Sequence, residues 1–225
     1  VCVPRFRDRR ELPRKASEML ERALTASFDI ERTHNTLLHV RDNLTLSARG
    51  QCRVRYAAGG EGETFDERVK YDWLSRKDFL HEPARIWEEV GWVAFGSWLT
   101  KAQGKKRFKK KWKNIKYMQD AKDTAEGYKY EKKARVWELW HKEKNQVVWL
   151  HPDCEHALDQ QDPYMTLEGF FPCPRPAYGT CEPDSLKPVP DFLFYKDQVE
   201  EIIDLTRRIS ALTQGLKLRG YYPKG

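Results

Sequence analysis

The sequence contains no long apolar run, and no stretch approaches the roughly 20 residues that a membrane-spanning helix requires. Its first residues, Val1 to Arg5, lack the hydrophobic segment of a signal peptide. The five cysteines are an odd number without a C-x-x-C pair, which is typical of reduced thiols rather than of a disulfide framework. We therefore expect a chain that is neither membrane-inserted nor secreted and that keeps its thiols free.

The motifs of common enzyme classes are also missing. The cluster Gly59-Gly60-Glu61-Gly62 matches neither glycine pattern that binds phosphate, so we interpret it as a turn. There is no G-x-S-x-G elbow and no papain-like or caspase-like cysteine context. The acid pairs Glu88-Glu89 and Glu200-Glu201 are adjacent, so on a helix their side chains point about 100° apart, which is a poor arrangement for sharing a metal ion. The sequence therefore contains no motif that identifies a catalytic residue, and an acyl-transfer enzyme is not expected.

The segment from His151 to His156 is the best candidate for a metal site, because His151, Cys154 and His156 supply three possible ligands within six residues. A structural zinc ion requires four ligands, commonly from two spaced pairs. A second pair exists only if Cys173 and Cys181 fold back onto this segment. We therefore predict a polar loop here, with no metal ion and no cofactor.

Positive charge is abundant and unevenly placed. The formal net charge is +7, and eight of the twelve residues from Lys105 to Lys116 are basic. This basic segment has a direct rationale for contacting nucleic acid, because Lys and Arg neutralise phosphates and release counterions. The candidate contacts are Lys105, Lys106, Arg107, Lys109, Lys110 and Lys113.

Two roles are open for the aromatic residues of the basic segment. Phe108 and Trp112 could stack on the bases of an open strand. Alternatively, Phe108, Trp112 and Ile115 follow the i, i+4, i+7 spacing of an amphipathic helix and lie in the core beneath a solvated basic face. We favour the core position.

The periodicity of the first half predicts helices around a β-hairpin. It indicates one helix over 16–24 and a second that begins at Asp29 as N-cap and stops at Gly50. Two runs of period two, beginning at Cys52 and at Val69, predict the hairpin.

Further along, residues 78–112 are predicted to be mostly helical, with Pro83 at a helix start and a second helix beginning near Thr100. Residues 117–134 show no strong period and are interpreted as loop or weak helix. An aromatic hairpin then follows over 136–150.

In this aromatic hairpin we expect Trp137 and Trp149 to be buried on opposing strands. Six prolines from Pro172 to Pro190 exclude a continuous helix and predict an extended connector along the surface. A long helix follows from 191 to 218, with a narrow apolar stripe at Tyr195, Val199, Ile202, Ile209 and Leu216.

Three blocks in this order resemble the portal proteins, or head-to-tail connectors, of tailed bacteriophages, particularly those of short-tailed phages. The first holds Asp42-Asn43-Leu44 and Arg49 to Tyr56, and the second runs from Arg76 through Trp92-Val93-Ala94. The third begins at Val136-Trp137-Glu138-Leu139-Trp140, includes Phe170-Phe171-Pro172 and Asp197-Gln198, and ends at Arg219-Gly220-Tyr221-Tyr222. Together the blocks cover most of the chain from about residue 35.

The resemblance implies an α+β fold. Residues 1–190 would form a portal wing-like domain with N-terminal helices and with β-hairpins packed against helices, and residues 191–225 would begin a stem-like helix. The chain, which does not begin with Met, would be a fragment of a longer portal, and by itself monomeric or weakly associated.

The resemblance also implies a structural role without enzymatic activity. Portals form an oligomeric ring at one capsid vertex, dodecameric when the subunits have full length, through which DNA is packaged and ejected. Terminase, tail or adaptor proteins and capsid proteins dock on the ring, and double-stranded DNA passes through it without sequence preference. The expected location is the virion, and during assembly the cytoplasm of the host or of a prophage-bearing bacterium. The alternative is a nucleic-acid-binding or nucleic-acid-processing protein that uses the basic segment 105–116.

Overall fold

A computed structural model describes residues 10–59, 66–113, 115–117 and 132–216. The helices are α1 (Glu11–Ile30), α2 (Thr33–Ser47), α3 (Lys101–Phe108) and α4 (Phe192–Gly215). The strands are β1 (Arg49–Gly50), β2 (Cys52–Gly59), β3 (Asp66–Trp73), β4 (Phe79–His81), β5 (Trp92–Thr100), β6 (Lys133–His141), β7 (Gln146–Leu150), β8 (Asp159–Gln161) and β9 (Ala177–Tyr178). Helices and strands are mixed, with a long C-terminal helix, and this agrees with the predicted α+β class.

A five-stranded antiparallel sheet, in the order β4-β5-β6-β7-β8, carries the core. In β6, Ala134, Val136, Glu138 and Trp140 are buried and alternate with partly exposed residues, because successive side chains of a strand point to opposite faces. The buried face of the sheet is completed by Phe79, Val93, Phe95, Val147 and Trp149.

The aromatic hairpin predicted over 136–150 is confirmed as β6 and β7, but one of the two tryptophans predicted to be buried lies on the opposite face of the sheet. Glu138 is opposite Trp149, whereas Trp137 is opposite Leu150 on the other face of the sheet. The prediction of burial is therefore right for Trp149, which is 4% exposed, and wrong for the partly exposed Trp137. Trp140 is the tryptophan of β6 that faces the core.

The prediction that residues 78–112 are mostly helical is wrong. This stretch contains β4 and β5, and Pro83 lies in the link between them rather than at a helix start. Val93 and Phe95 are fully buried between β4 and β6, so pairing across the sheet outweighs the local helical spacing. The helix predicted near Thr100 is confirmed as α3, which begins at Lys101.

The N-terminal helices differ from the prediction at their boundaries. Asp29 lies inside α1 rather than capping a second helix, and α2 begins after Arg32, whose backbone has a φ of 50°. Helix α2 ends at Ser47, so Gly50 is a residue of β1 and not a helix stop. A Cβ atom at Gly50 would lie 2.5 Å from the carbonyl oxygen of Val40, so the close approach of β1 to α2 requires glycine here.

The hairpin predicted from Cys52 and Val69 is confirmed as β2 paired with β3. Its turn, including three of the four residues of the glycine cluster, lies outside the described residues, as does most of the predicted loop over 117–134. The proline-rich segment is extended as predicted, and β9 within it pairs with β1. It does not follow the surface throughout, because Pro172 and Leu186 are buried.

Helix α4 confirms the long helix predicted after the prolines, although it ends at Gly215. Its first turn is tied to the preceding segment by a hydrogen bond of 3.2 Å from the Thr180 hydroxyl to the carboxylate of Asp191. None of its residues is buried. No helix within the described ranges combines the length and the apolar character needed to cross a membrane.

Candidate nucleic-acid interface

The basic segment folds as a capped helix followed by a tight turn. The Thr100 hydroxyl accepts the Gln103 N–H, and the Gln103 side chain accepts the Thr100 N–H, so a capping box starts α3. After Phe108 a short 3-10 turn, Lys109–Lys111, reverses the chain and brings Trp112 back onto α3. A Cβ atom at Gly104 would lie 2.1 Å from the Trp112 indole, so this packing requires a glycine at position 104.

The aromatic residues of the basic segment belong to the core, as favoured above. Phe108 and Trp112 are each 5% exposed and Ile115 is 9% exposed. The rings of Phe108 and Trp112 stack with centroids 5.5 Å apart, and the Trp112 indole N–H donates to the Tyr117 hydroxyl over 2.7 Å. Neither ring can therefore stack on a base.

The six predicted contact residues are all exposed, but they do not share one environment. Within the part of the chain that the structure describes, none of the six makes an ion pair. The five lysines make no ring contact with any residue that the structure describes. Arg107 differs, because its guanidinium lies over the Trp149 ring at 4.8 Å and over the Phe108 ring at 5.5 Å. Arg107 also lines a cleft that reaches the central sheet.

This cleft, called here the arginine cleft, has a volume of about 540 Å³. It lies between β2, the buried face of the central sheet and the end of α3. Its charged and hydroxyl-bearing lining consists of Arg53, Arg55, Tyr56, Asp72, Ser97, Arg107, Glu138 and Tyr164. Three guanidinium groups face two carboxylates, which leaves one net positive charge.

A buried ion pair forms the floor of the arginine cleft. Nη2 of Arg53 lies 2.6 Å from Oε1 of Glu138, and both side chains are about nine-tenths buried. The same Glu138 oxygen accepts the Trp140 indole N–H at 2.8 Å and the Tyr164 hydroxyl at 3.0 Å. Such a pair is stable in the interior only if further hydrogen bonds satisfy its charges. Arg53 also lies over the Phe95 ring, with its guanidinium carbon 4.6 Å from the centroid.

The protonation states of the floor follow from this geometry. Burial lowers the pKa of Arg53, but Glu138 and Tyr164 raise it by more, so the guanidinium stays charged. Burial, and then the charge of Glu138, raise the pKa of Tyr164 to about 12. Tyr164 is therefore a neutral phenol at physiological pH.

One hydrogen-bond donor and one positive charge of the arginine cleft lack a partner among the described residues. Nε of Arg53 is buried without a hydrogen-bond partner. Arg55 is held by Asp72 through bonds of 2.6 and 3.3 Å, which leaves Arg107 as the cleft cation with no carboxylate partner among the described residues. Native structures rarely leave a buried donor unsatisfied, so an orphaned donor indicates a water molecule or a ligand.

The arginine cleft could not be recognised in the sequence. The period of two predicts a half-buried strand with Cys52, Val54 and Tyr56 on one face and with Arg53 and Arg55 on the opposite, polar face, whereas Arg53 is 7% exposed. One signal was available: Glu138 lies at a core-facing position of β6, between Val136 and Trp140. A buried carboxylate requires a cation nearby, although the sequence does not show which one.

The residues weighed as metal ligands do not form a metal site. His151 is buried, and its Nδ1 accepts the Asp153 N–H at 3.1 Å, while His156 is exposed. Burial lowers the pKa of His151 and raises that of the Cys154 thiol. Across the described residues, no three His, Cys, Asp or Glu side chains are placed to hold a metal ion.

A second, larger groove of about 1200 Å³ lies between the α1–α2 junction, β2 and residues 167–174. Its walls are mainly apolar, and the thiols of Cys52 and Cys173 line it. Burial raises the pKa of both thiols, that of Cys173 to about 12. Both are therefore protonated at neutral pH, which is unfavourable for a nucleophile.

Comparison with known proteins does not add a family to these observations. No protein-family model matches the chain, and no curated protein matches it significantly.

Proposed function

We propose that this chain is a structural subunit of a phage portal ring at a capsid vertex. Two observations support the proposal. The three sequence blocks occur in the order found in portal proteins, and an α+β body is followed by a long helix. The proposal assigns no catalysis to the chain.

The observation that carries the proposal is the exposure of α4. This helix has 24 residues and none of them is buried. Large apolar side chains nevertheless occupy it, and five of them are more than half exposed: Leu193, Phe194, Ile202, Ile209 and Leu212. Exposed apolar surface of this extent is typical of an interaction site, because burial of such side chains stabilises association.

The function of such a subunit is geometric. Each subunit packs side by side with the next through two different surfaces, and rotation about one axis closes the ring. The α4 helices contribute to the wall of the tunnel, and the α+β body braces the ring against the capsid. Terminase, tail or adaptor proteins and capsid proteins are the proposed partners.

In this role the exposed lysines of the basic segment contact DNA through phosphates only. Phosphate contacts carry no sequence information, so they allow DNA to slide past the protein. Binding is expected to be weak, and its dependence on salt follows a slope of roughly 0.9 per neutralised phosphate. Titration of two unrelated duplexes at several salt concentrations measures this, and a sequence preference that survives physiological salt would argue for the nucleic-acid-binding alternative.

Electron microscopy of the protein in its full natural length tests the proposal directly. Closed rings are the expected result, and discrete monomers or dimers would contradict it. The variant Ile202→Glu/Ile209→Glu places two charges on the apolar stripe of α4 and is expected to prevent ring closure. The matched control, Gln198→Glu/Gln214→Glu, adds the same charge at exposed polar positions of α4 and is expected to leave the rings intact.

A further inference from the structure

We propose that the arginine cleft binds one phosphodiester group of an unpaired nucleic-acid strand, with Arg107 as the residue that holds the phosphate. The inference concerns a built site at one end of α3. It does not rest on the portal assignment, and it differs from the diffuse contact expected of the exposed lysines.

The position of Arg107 is the first support. Its guanidinium carbon lies over the Trp149 ring, 4.8 Å from the centroid, and Trp149 is itself buried in the core. Stacking on an aromatic ring occupies the face of a guanidinium and leaves its N–H edge free. That edge matches the geometry of two phosphate oxygens, which a lysine ammonium does not.

The charge balance of the cleft is the second support. One net positive charge remains after Asp72 and Glu138 are matched with Arg55 and Arg53. A phosphodiester carries a single negative charge, so it neutralises the cleft, whereas a phosphomonoester dianion would exceed it. The unsatisfied Nε of Arg53 further indicates that the floor lacks an acceptor that a bound oxyanion can supply, with a small shift of neighbouring side chains.

Two features favour nucleic acid over a carboxylate-bearing protein. Arg107 belongs to the same helix and turn as the exposed lysines Lys105, Lys106, Lys109 and Lys110, and this extended positive surface suits a polyanion. Tyr164 lines the cleft, is 48% exposed and remains a neutral phenol. Its ring offers a surface on which an unpaired base can stack, as in other single-strand binders.

The test uses a thymidine dinucleotide, which contains one phosphodiester and two unpaired bases. Its binding is followed by NMR through the signals of the Arg107 side chain and the Trp149 indole. Arg107→Gln is expected to weaken the affinity at least about tenfold, because a charge-assisted hydrogen bond is lost. Arg107→Lys is expected to weaken it as strongly, because the charge is kept but the planar edge is lost.

Lys101→Gln is the matched control, since it removes one exposed positive charge from the same helix outside the cleft and the basic segment. It is expected to change the dinucleotide affinity less than about twofold. Wild-type affinity in Arg107→Lys, or an equal loss in Lys101→Gln, would show that only diffuse charge acts and would overturn the inference. Should Arg107→Gln fail to fold, Arg107→Lys, which retains the cation over Trp149, decides the matter alone.

Competition with acetate tests whether the cleft binds a carboxylate instead of a phosphodiester. Displacement of the dinucleotide by acetate at comparable concentration would identify the ligand as a carboxylate of an acidic protein segment and would overturn the nucleic-acid assignment. Failure of the portal proposal is distinguishable from failure of this one. If the protein forms rings but does not bind the dinucleotide, only the proposal for the arginine cleft is wrong. If it binds the dinucleotide but forms no rings, only the portal proposal is wrong.

Discussion

The central sheet and α4 both carry large apolar side chains at regular spacing, but only the sheet covers them. Phe79, Phe95 and Trp140 are completely buried on one face of the sheet, whereas Ile202 and Leu212 of α4 are 62% and 66% exposed. The sheet therefore obtains its hydrophobic stabilisation from this chain alone. Helix α4 lacks such packing among the described residues. A comparable hydrophobic stabilisation of α4 therefore requires contacts beyond those residues.

The largest expected effect lies in the sheet. Trp140→Ala removes a fully buried side chain together with an indole hydrogen bond to Glu138, and we expect a loss of about 4 kcal/mol in the free energy of unfolding. Trp137→Ala is the control on the same strand, and it should cost about 1 kcal/mol, because the side chain is partly exposed and its ring lies under the Arg135 guanidinium at 4.3 Å. Urea unfolding of both variants measures the difference, and equal losses would show that the two sheet faces are not distinct.

The next effect concerns the ion pair on the floor of the arginine cleft. Glu138→Gln leaves Arg53 as a buried charge without a counterion, and it is expected to cost about 3 kcal/mol. Glu182→Gln removes one partner of an exposed pair with Lys187 and should cost less than about 1 kcal/mol.

The double variant Arg53→Met/Glu138→Gln removes both charges of the buried pair. It is expected to be more stable than Glu138→Gln alone, because no uncompensated charge remains. A double variant less stable than either single one would mean that the two side chains are not coupled.

How far the sequence could predict these regions depends on the range of the interactions. The helix start near Thr100, the β2–β3 hairpin and α4 follow from residues close to each other in the sequence, and all three predictions are confirmed. The pairing of Arg53 with Glu138 joins residues 85 positions apart. It depends on how a hairpin lies across a sheet, and no local period encodes that arrangement.

The basic segment shows the same limit at shorter range. The prediction of a basic surface above core aromatics is right, but the single amphipathic helix on which it rested is wrong, because α3 ends at Phe108 and the chain turns before Trp112. Which of its cations enters the arginine cleft depends on the packing of Trp112 against Gly104, which fixes the rotation of α3 over the sheet. The sequence treated six basic residues as equivalent, and the structure separates Arg107 from the other five.

A smaller effect links the floor of the cleft to pH. The pKa of Tyr164 is raised to about 12 in the folded state, above its value of about 10 in an unfolded chain. The folded state therefore binds more protons than the unfolded state between these pH values. The contribution of Tyr164 to the free energy of unfolding is fully present below pH 10 and is lost as the pH rises towards 12.

Tyr164→Phe should accordingly flatten the loss of stability between about pH 10 and 12. The ring is about half exposed, so solvent screening reduces the effect. Tyr178→Phe is the comparison, since burial also raises the pKa of Tyr178 to about 12 at a site far from Glu138 in the chain. An unchanged alkaline limb in the Tyr164 variant would mean that burial and the Glu138 carboxylate do not raise the pKa of this phenol.

The smallest effect is expected in α4, and it tests the comparison most sharply. Ile202→Ala and Ile209→Ala remove exposed side chains and substitute a residue of better helix propensity, so each should change the free energy of unfolding by less than about 0.5 kcal/mol. The measurement is urea unfolding at two protein concentrations, because association would make the stability concentration-dependent. A loss above about 1.5 kcal/mol that does not depend on concentration would mean that α4 packs against its own chain. A loss that grows with concentration would mean that α4 already packs between copies, as the portal proposal requires in the ring, and it would place the stripe at Ile202 and Ile209 within that interface.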